Sequence, residues 1–168
     1  MILGDGRAEL LHCDCMEYMA SNNVNADLVL TDIPYDVVNR KSNNIRSFDK
    51  GSADRLTFNL AEFLDNVYKI ARSGLIIFCS KEQLSTIHGY FHKKQESKEG
   101  TVRQLVWQKS NPSPVNGEHV YLSGIENAVW FRKRGGYLMP DVKTRCSNIP
   151  LGATRFIPLR RIMSCFVS

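Results

Sequence analysis

Apolar runs alternate with amphipathic stretches along most of the chain. Two continuous apolar runs, 27–32 (DLVLTD) and 73–80 (SGLIIFCS), predict strands that are covered on both faces. Further strands are predicted at 8–13, 102–109 and 125–134, and the last of these is expected to be the final strand. Helical spacing predicts helices at 16–20, 57–71 and 81–94. The alternation predicts an α/β fold with a largely parallel sheet.

The helix predicted at 57–71 has the clearest apolar face. Thr57 is its candidate N-cap. The residues that share the face are Leu60, Phe63, Leu64, Val67 and Ile70. Before this helix, residues 36–56 are polar, rich in Asn and Ser, and aperiodic, which predicts a long loop. Loops of that length are uncommon in compact domains and are often functional.

The composition indicates one globular domain inside the cell. The chain has 168 residues, 43% hydrophobic and 23% charged. No apolar run is long enough to cross a bilayer and the start lacks the features of a signal peptide, so we expect a cytoplasmic protein with no membrane partner. Five cysteines in no framework spacing predict reduced thiols. Cys13 and Cys15 lack a second ligand pair at zinc spacing, so no metal is predicted.

Positive charge is concentrated at the end of the chain. Residues 1–130 carry 14 Lys and Arg against 16 Asp and Glu, whereas residues 131–168 carry 8 against Asp141 alone. A basic end on a near-neutral body suits a polyanion such as nucleic acid. A solvated tail explains the same pattern, and charge alone leaves both open.

The apolar strand 27–32 ends in an unusual way, in Asp32-Ile33-Pro34-Tyr35. Ligands of α/β sheets bind beyond the carboxyl ends of the strands. Asp32 is predicted at such an end, and the long loop follows at once. Position alone leaves two readings, a turn and an active site.

The tetrapeptide resembles the Asp-Pro-Pro-Tyr motif of the S-adenosylmethionine (SAM)-dependent amino-group DNA methyltransferases of phages and restriction–modification systems. Three other segments resemble blocks of a permuted group of that family, in the family's order. They are Cys13-Asp14-Cys15-Met16-Glu17, LVWQKSNPSP (105–114) and IENAVWFRKRG (125–135). The resemblance implies a Rossmann-like methyltransferase sheet and transfer of methyl from SAM to adenine N6 or cytosine N4.

The resemblance also implies roles for individual residues. In the family the Asp carboxylate and the next backbone carbonyl accept hydrogen bonds from the target amine, which here are Asp32 and the carbonyl of Ile33. Pro34 fixes the turn, and Tyr35 stacks on a base flipped out of the duplex. Asp14 and Cys15, together with Asp32, are the expected cofactor-binding residues. Adenine is preferred over cytosine because cytosine methylases of the group more often carry Ser in place of Asp.

Double-stranded DNA is the expected partner, held through its phosphates by basic side chains. The candidates are Arg40, Lys41, Arg46, Lys109, Arg132, Lys133 and Arg134. For the loop residues, a solvated loop is an equal alternative.

Two family elements are missing from the sequence, a His-Pro-Thr-x-Lys-Pro-like segment and a glycine-rich turn that closes on the cofactor. For one choice of synonymous codons, restoring one nucleotide turns the sequence from Ile157 into a segment that resembles the first of them. We therefore expect a catalytic-half domain at 1–150, a basic tail at 151–168 that is out of frame from about Ile157, and a sheet incomplete at the C-terminus. Weak or absent SAM binding and self-association through uncovered apolar surface follow from this.

The leading functional hypothesis is a site-specific DNA adenine N6-methyltransferase by descent, and the sequence leaves open whether this chain is active. A nucleic-acid-binding remnant without turnover is one alternative. A methyltransferase acting on protein or small-molecule amines is the other.

Overall fold

The computed structural model describes residues 2–3, 8–21, 23–35, 55–110, 124–136 and 162–166. The strands are β1 (Ile2–Leu3), β2 (Ala8–Glu9), β3 (Ala26–Asp32), β4 (Ala71–Cys79), β5 (Gly100–Gln108), β6 (Ile125–Lys133) and β7 (Ile162–Phe166). The helices are α1 (Cys15–Ser21), α2 (Leu60–Ile70) and α3 (Lys81–Glu96). The predicted loop at 36–56 lies outside the described residues, apart from its last two.

Five strands form one open sheet in the order β5-β6-β4-β3-β7. The parallel pair β3 and β4 is the centre, and Asp32 at the end of β3 is level with Phe78 of β4. β3 and β4 are the two apolar runs of the sequence, and Val29, Leu75 and Ile77 are fully buried. The predicted α/β fold is therefore confirmed.

The sheet is mixed, so the prediction of a largely parallel sheet is wrong for one side. β6 pairs antiparallel with both β4 and β5, and β5 is the edge strand on that side. The carboxyl end of β5 and the start of β6 lie at the same end of the sheet as the carboxyl ends of β3 and β4.

A strand follows 125–134, which corrects the expectation that this segment is the final strand. β7 pairs in parallel with β3, from Leu28 opposite Ile162 to Asp32 opposite Phe166. β7 covers the side of β3 that β4 leaves open, and it belongs to the segment expected to be a tail. The boundary at 150 lies outside the described residues, and the division into domain and tail remains a prediction.

Helix α2 begins two residues later than the candidate cap Thr57 implies. Asn59 is the N-cap, and its Oδ1 accepts hydrogen bonds from the backbone N–H groups of Ala61 and Glu62, at 2.9 and 3.2 Å. The rings of Phe58 and Phe63, on either side of this cap, lie 4.9 Å apart and fix the entry of the chain. Of the predicted apolar face, Phe63, Leu64, Val67 and Ile70 are buried and Leu60 is half-buried.

The strand predicted at 8–13 is short. Only Ala8–Glu9 is extended, and it pairs with β1 in a separate two-stranded sheet. Leu10 and Leu11 are exposed, so this segment lacks the buried face that would extend it. No helix within the described ranges is long and apolar enough to cross a membrane.

Candidate functional site

The turn Asp32-Ile33-Pro34-Tyr35 lies at the carboxyl end of β3 and is anchored to its neighbour. The backbone N–H of Ile33 donates to the carbonyl of Phe78 at 3.3 Å, which extends the β3–β4 pairing by one residue. The side chain of Ile33 is 2% exposed and belongs to the core. Asp32 is exposed, Pro34 is buried and Tyr35 is half-buried. The turn therefore presents its first and last side chains at the surface of the sheet edge while its centre is fixed.

The far side of the turn is tied to the beginning of helix α3. Gln83 donates from Nε2 to the carbonyl of Pro34 at 2.7 Å. The Oε1 of the same side chain accepts from the backbone N–H of Ser80 at 3.0 Å, and Ser80 Oγ accepts from the backbone N–H of Gln83 at 3.3 Å. These last two bonds are a capping box, so one side chain serves the helix and the turn together.

Asp32 and Tyr35 interact directly. Desolvation raises the pKa of Asp32 although its side chain reaches solvent, and the negative charge of Glu126 raises it further. A side-chain hydrogen bond from Tyr35 opposes both effects, and the pKa of Asp32 nevertheless stays above its ordinary value. Burial first, and then the charge of Asp32, raise the pKa of the Tyr35 hydroxyl, which therefore stays protonated and can donate to the carboxylate.

Two residues that the sequence analysis did not select belong to this site. Cys79, at the end of β4, is buried, and burial raises the pKa of its thiol to about 11, with a smaller contribution from the charge of Asp32. Glu126, near the start of β6, contributes its charge to both Asp32 and Tyr35. The strand register explains their proximity, because Cys79 pairs with Asn127, the residue after Glu126. Pattern reading could not find them, since it does not give the direction of β6.

Two of the residues predicted to bind cofactor, Asp14 and Cys15, have structural roles at the start of α1. One carboxylate oxygen of Asp14, Oδ1, accepts from the backbone N–H groups of Met16 and Glu17, at 2.7 and 3.1 Å. Asp14 thus caps the start of α1, where Cys15 is the first residue and packs partly against the core. Asp14 is exposed, and neither of these bonds uses its second oxygen.

The candidate DNA contacts fall into three places. Lys109 follows β5 at the site edge of the sheet and pairs with Glu126 at 2.5 Å. Arg132, Lys133 and Arg134 lie at the opposite end of β6: Arg132 is level with Gly74, four residues before the Phe78 position that matches Asp32. This is about 13 Å along the strands. Arg40, Lys41 and Arg46 lie outside the described residues.

The sheet, with the turn at the end of β3, matches a methyltransferase fold. Among solved structures, the crystal structure of M1.HpyAVI in complex with SAM matches 80% of this chain with a TM-score of 0.53 and 22% identity. A crystal structure of M1.HpyAVI alone matches 79% with a TM-score of 0.51 and 21% identity. The predicted methyltransferase fold is thereby confirmed.

The likeness is one of fold, and it covers part of the neighbours. The chain spans 60% of the SAM-bound structure and 58% of the other. No protein-family model matches the sequence, and a comparison with curated proteins finds no significant match.

Proposed function

We propose that this chain carries the catalytic half of a SAM-dependent DNA methyltransferase that acts on the exocyclic amine of a flipped adenine. The observation that carries the proposal is the Asp32–Tyr35 pair at the carboxyl end of β3, in a sheet with the methyltransferase fold. The residue types suit the reaction, because an adenine amine is a poor nucleophile whose lone pair is delocalised into the ring. Acceptors aimed at its hydrogens favour a pyramidal nitrogen and stabilise the charge that develops.

Asp32 and Ile33 supply those acceptors. The carboxylate of Asp32 is exposed, and the N–H of Ile33 is already used in its bond to Phe78. Since the Ile33 side chain is buried and its N–H is bonded, the carbonyl of Ile33 is held in a fixed position. A fixed acceptor costs no reorganisation when charge develops on the substrate. Ile in place of the family's first Pro keeps this main-chain acceptor.

The raised pKa of Asp32 suits it to take a proton. As the amine nitrogen bonds to the methyl carbon, the carbon–sulfur bond breaks and the nitrogen becomes positively charged. One N–H proton must then leave, and the exposed carboxylate of Asp32 is the proposed acceptor. A carboxylate with a raised pKa is a stronger base than an ordinary aspartate. Tyr35 donates to Asp32 and, being half-buried, keeps ring surface for stacking on the base.

Asp14, Cys15 and Asp32 would hold the cofactor. The second oxygen of the exposed Asp14 carboxylate can accept hydrogen bonds. It therefore fits a nucleoside, which carries hydroxyl and amine donors. When bound, SAM supplies a methyl group on a positively charged sulfur. Weak binding of SAM to this chain is part of the proposal.

Duplex DNA is the proposed partner, and Lys109 is the described candidate nearest the site. Because Lys109 pairs with Glu126, a DNA phosphate would compete with that carboxylate for the ammonium group. We further propose self-association, since Leu105, Val106, Trp107 and Ile125 expose apolar surface at the edge of the sheet. A monomer at every concentration in sedimentation would contradict that part.

The first experiment is calorimetric titration with SAM, followed by transfer of labelled methyl to duplex DNA. We expect binding and transfer that is lost in Asp32→Ala and kept in Asp27→Ala, a matched control at the other end of β3. DNA binding without transfer would favour a non-catalytic remnant. Transfer to protein in place of DNA would favour the amine methyltransferase alternative.

A further inference from the structure

Gln83 bridges the helix cap and the site turn, and it does so from inside the protein. Its side chain is 9% exposed and makes hydrogen bonds at both ends. The oxygen closes the capping box at Ser80. The nitrogen reaches 49 residues back along the chain to the Pro34 carbonyl at 2.7 Å, the shortest of the three bonds in this group.

We propose that Gln83 is a positioning residue that holds the Asp32-Ile33-Pro34-Tyr35 turn in its working geometry. This inference rests on the proposed function for its consequence in catalysis. The turn has two fastenings to the β4–α3 segment: the bond from Ile33 to Phe78 on one side of Pro34, and the bond from Gln83 at Pro34 itself. Asp32 and Tyr35 lie on either side of these fastenings. Releasing Pro34 would therefore let the two side chains move relative to each other.

The chemistry of the amide explains why Gln suits this position. Only a side chain with an acceptor and a donor on one planar group can satisfy both the Ser80 N–H and the Pro34 carbonyl. Glu keeps the acceptor and the shape but places a second oxygen against the Pro34 carbonyl. When its carboxyl is ionised, Gln83→Glu thus removes the bond to the turn and leaves the capping bond from Ser80 in place. A protonated Glu would still donate to the Pro34 carbonyl, so the variant is compared at a pH at which its carboxyl is ionised.

Two variants separate positioning of the turn from capping of the helix. Ser80→Ala removes the bond from the Gln83 N–H to Ser80 Oγ but leaves Gln83 bonded to Pro34. Gln95→Glu is a matched control on α3: its Oε1 accepts from the backbone N–H of Val102 at 3.0 Å, and Glu can accept the same bond.

The first readout is hydrogen exchange at the Ile33 amide, which requires no enzymatic activity. We expect Gln83→Glu to speed this exchange about tenfold, as for the loss of one buried hydrogen bond. Ser80→Ala and Gln95→Glu should leave it within about twofold of the original chain. Exchange at Leu75, inside β4, is expected to be equal in all four proteins.

The second readout is methyl transfer, in which kcat should fall about tenfold in Gln83→Glu. The KM for SAM should change less than kcat, because Asp14 and Cys15, the other residues that would hold the cofactor, do not belong to the turn. Unchanged Ile33 exchange in Gln83→Glu, or equal acceleration in Ser80→Ala, would overturn the positioning role. If the original chain transfers no methyl at all, the proposed function fails and the exchange measurement still decides whether Gln83 holds the turn.

Discussion

The two ends of the sheet each hold a tyrosine hydroxyl bonded to a carboxylate, in opposite electrostatic settings. At the carboxyl end of β3, Tyr35 interacts with Asp32, and the pKa of Asp32 is raised by desolvation and by Glu126. At the opposite end, Tyr68 of α2 donates to Glu99 at 2.5 Å, and this bond, together with Lys94 and Lys133, lowers the pKa of Glu99. The protonated form of the carboxyl is thus favoured at Asp32, and the ionised form is favoured at Glu99.

The difference comes from the cations. The Nζ atoms of Lys94 and Lys133 lie 4.5 and 4.1 Å from the centre of the Tyr68 ring, and Lys94 also pairs with Glu99 at 3.4 Å. At the Asp32 end, Lys109 is the lysine near the site within the described ranges, and it is paired with Glu126. A carboxylate surrounded by partners stabilises the fold, whereas one kept short of partners is available to a substrate. These settings suit a structural role at the Tyr68 end and support the proposed catalytic role at the Asp32 end.

Removing the ring beneath the Tyr68 end should have the largest effect. Phe131 is fully buried and its ring centre lies 4.9 Å from that of Phe91 and 6.0 Å from that of Tyr68. We expect Phe131→Ala to lower the free energy of unfolding by about 3–5 kcal/mol, through lost burial and a cavity. Urea unfolding followed by circular dichroism measures it. The control is Trp107→Ala, which removes a side chain that is 55% exposed and should change stability by about 0.5 kcal/mol or less.

The next largest effect is expected at the other end, on rate and not on stability. Asp32→Asn removes the negative acceptor, so methyl transfer should fall about a hundredfold or more. Stability at neutral pH should not fall, because the raised pKa means that the fold disfavours the ionised carboxylate. Single-turnover transfer and thermal melting measure the two quantities. A variant that keeps most of its rate, or that melts well below the original chain, would place Asp32 among the structural residues.

Only some elements of the fold could be predicted in full from the sequence. β3, β4, α2 and α3 were predictable because each buries a continuous run or one clear face. The start of α2 was missed although Phe58, Asn59, Glu62 and Phe63 form a readable cap and staple. Choosing Asn59 over Thr57 required the recognition that Phe58 and Phe63 pack across a cap at Asn59.

The site was predictable at its centre and not at its border. A resemblance in four residues located Asp32 and Tyr35, and the pattern Ser80-x-x-Gln83 signals a capping box. Nothing in that pattern says that Gln83 also reaches Pro34, which is a contact across 49 residues. Strand register places Glu126 and Cys79 in the site, and the same register places Arg132 far from it. Direction and register are tertiary facts that local patterns do not encode.

Removing one hydroxyl at each end should give a smaller, paired effect. Tyr68→Phe keeps the ring under both lysines but loses the bond to Glu99, so we expect its melting temperature to fall by a few degrees. Tyr35→Phe should melt close to the original chain and should raise the pKa of Asp32 further, because it removes the hydrogen bond that lowers it. Thermal melts and carboxyl NMR titration compare the two. An equal loss of stability at both ends would contradict the division into structural and chemical ends.

The smallest effects are those of pH, and they should have opposite signs. Asp32 has a pKa above its ordinary value of 3.8, so its protonated form favours the fold, and this contribution is complete below that value and lost as the pH rises through the pKa of the folded state. Glu99 has a pKa below its ordinary value of 4.5, so its contribution is present above that value and lost as the pH falls through the pKa of the folded state.

Relative to the original chain, Asp32→Asn should therefore gain stability between acid and neutral pH, and Glu99→Gln should lose it. Urea midpoints measured from pH 3 to pH 7 give both slopes, and solvent screening of Glu99 makes its slope the shallower one. Slopes of the same sign would mean that the two ends do not differ in how they treat a carboxylate, and the assignment of Asp32 to chemistry would then rest on the fold alone.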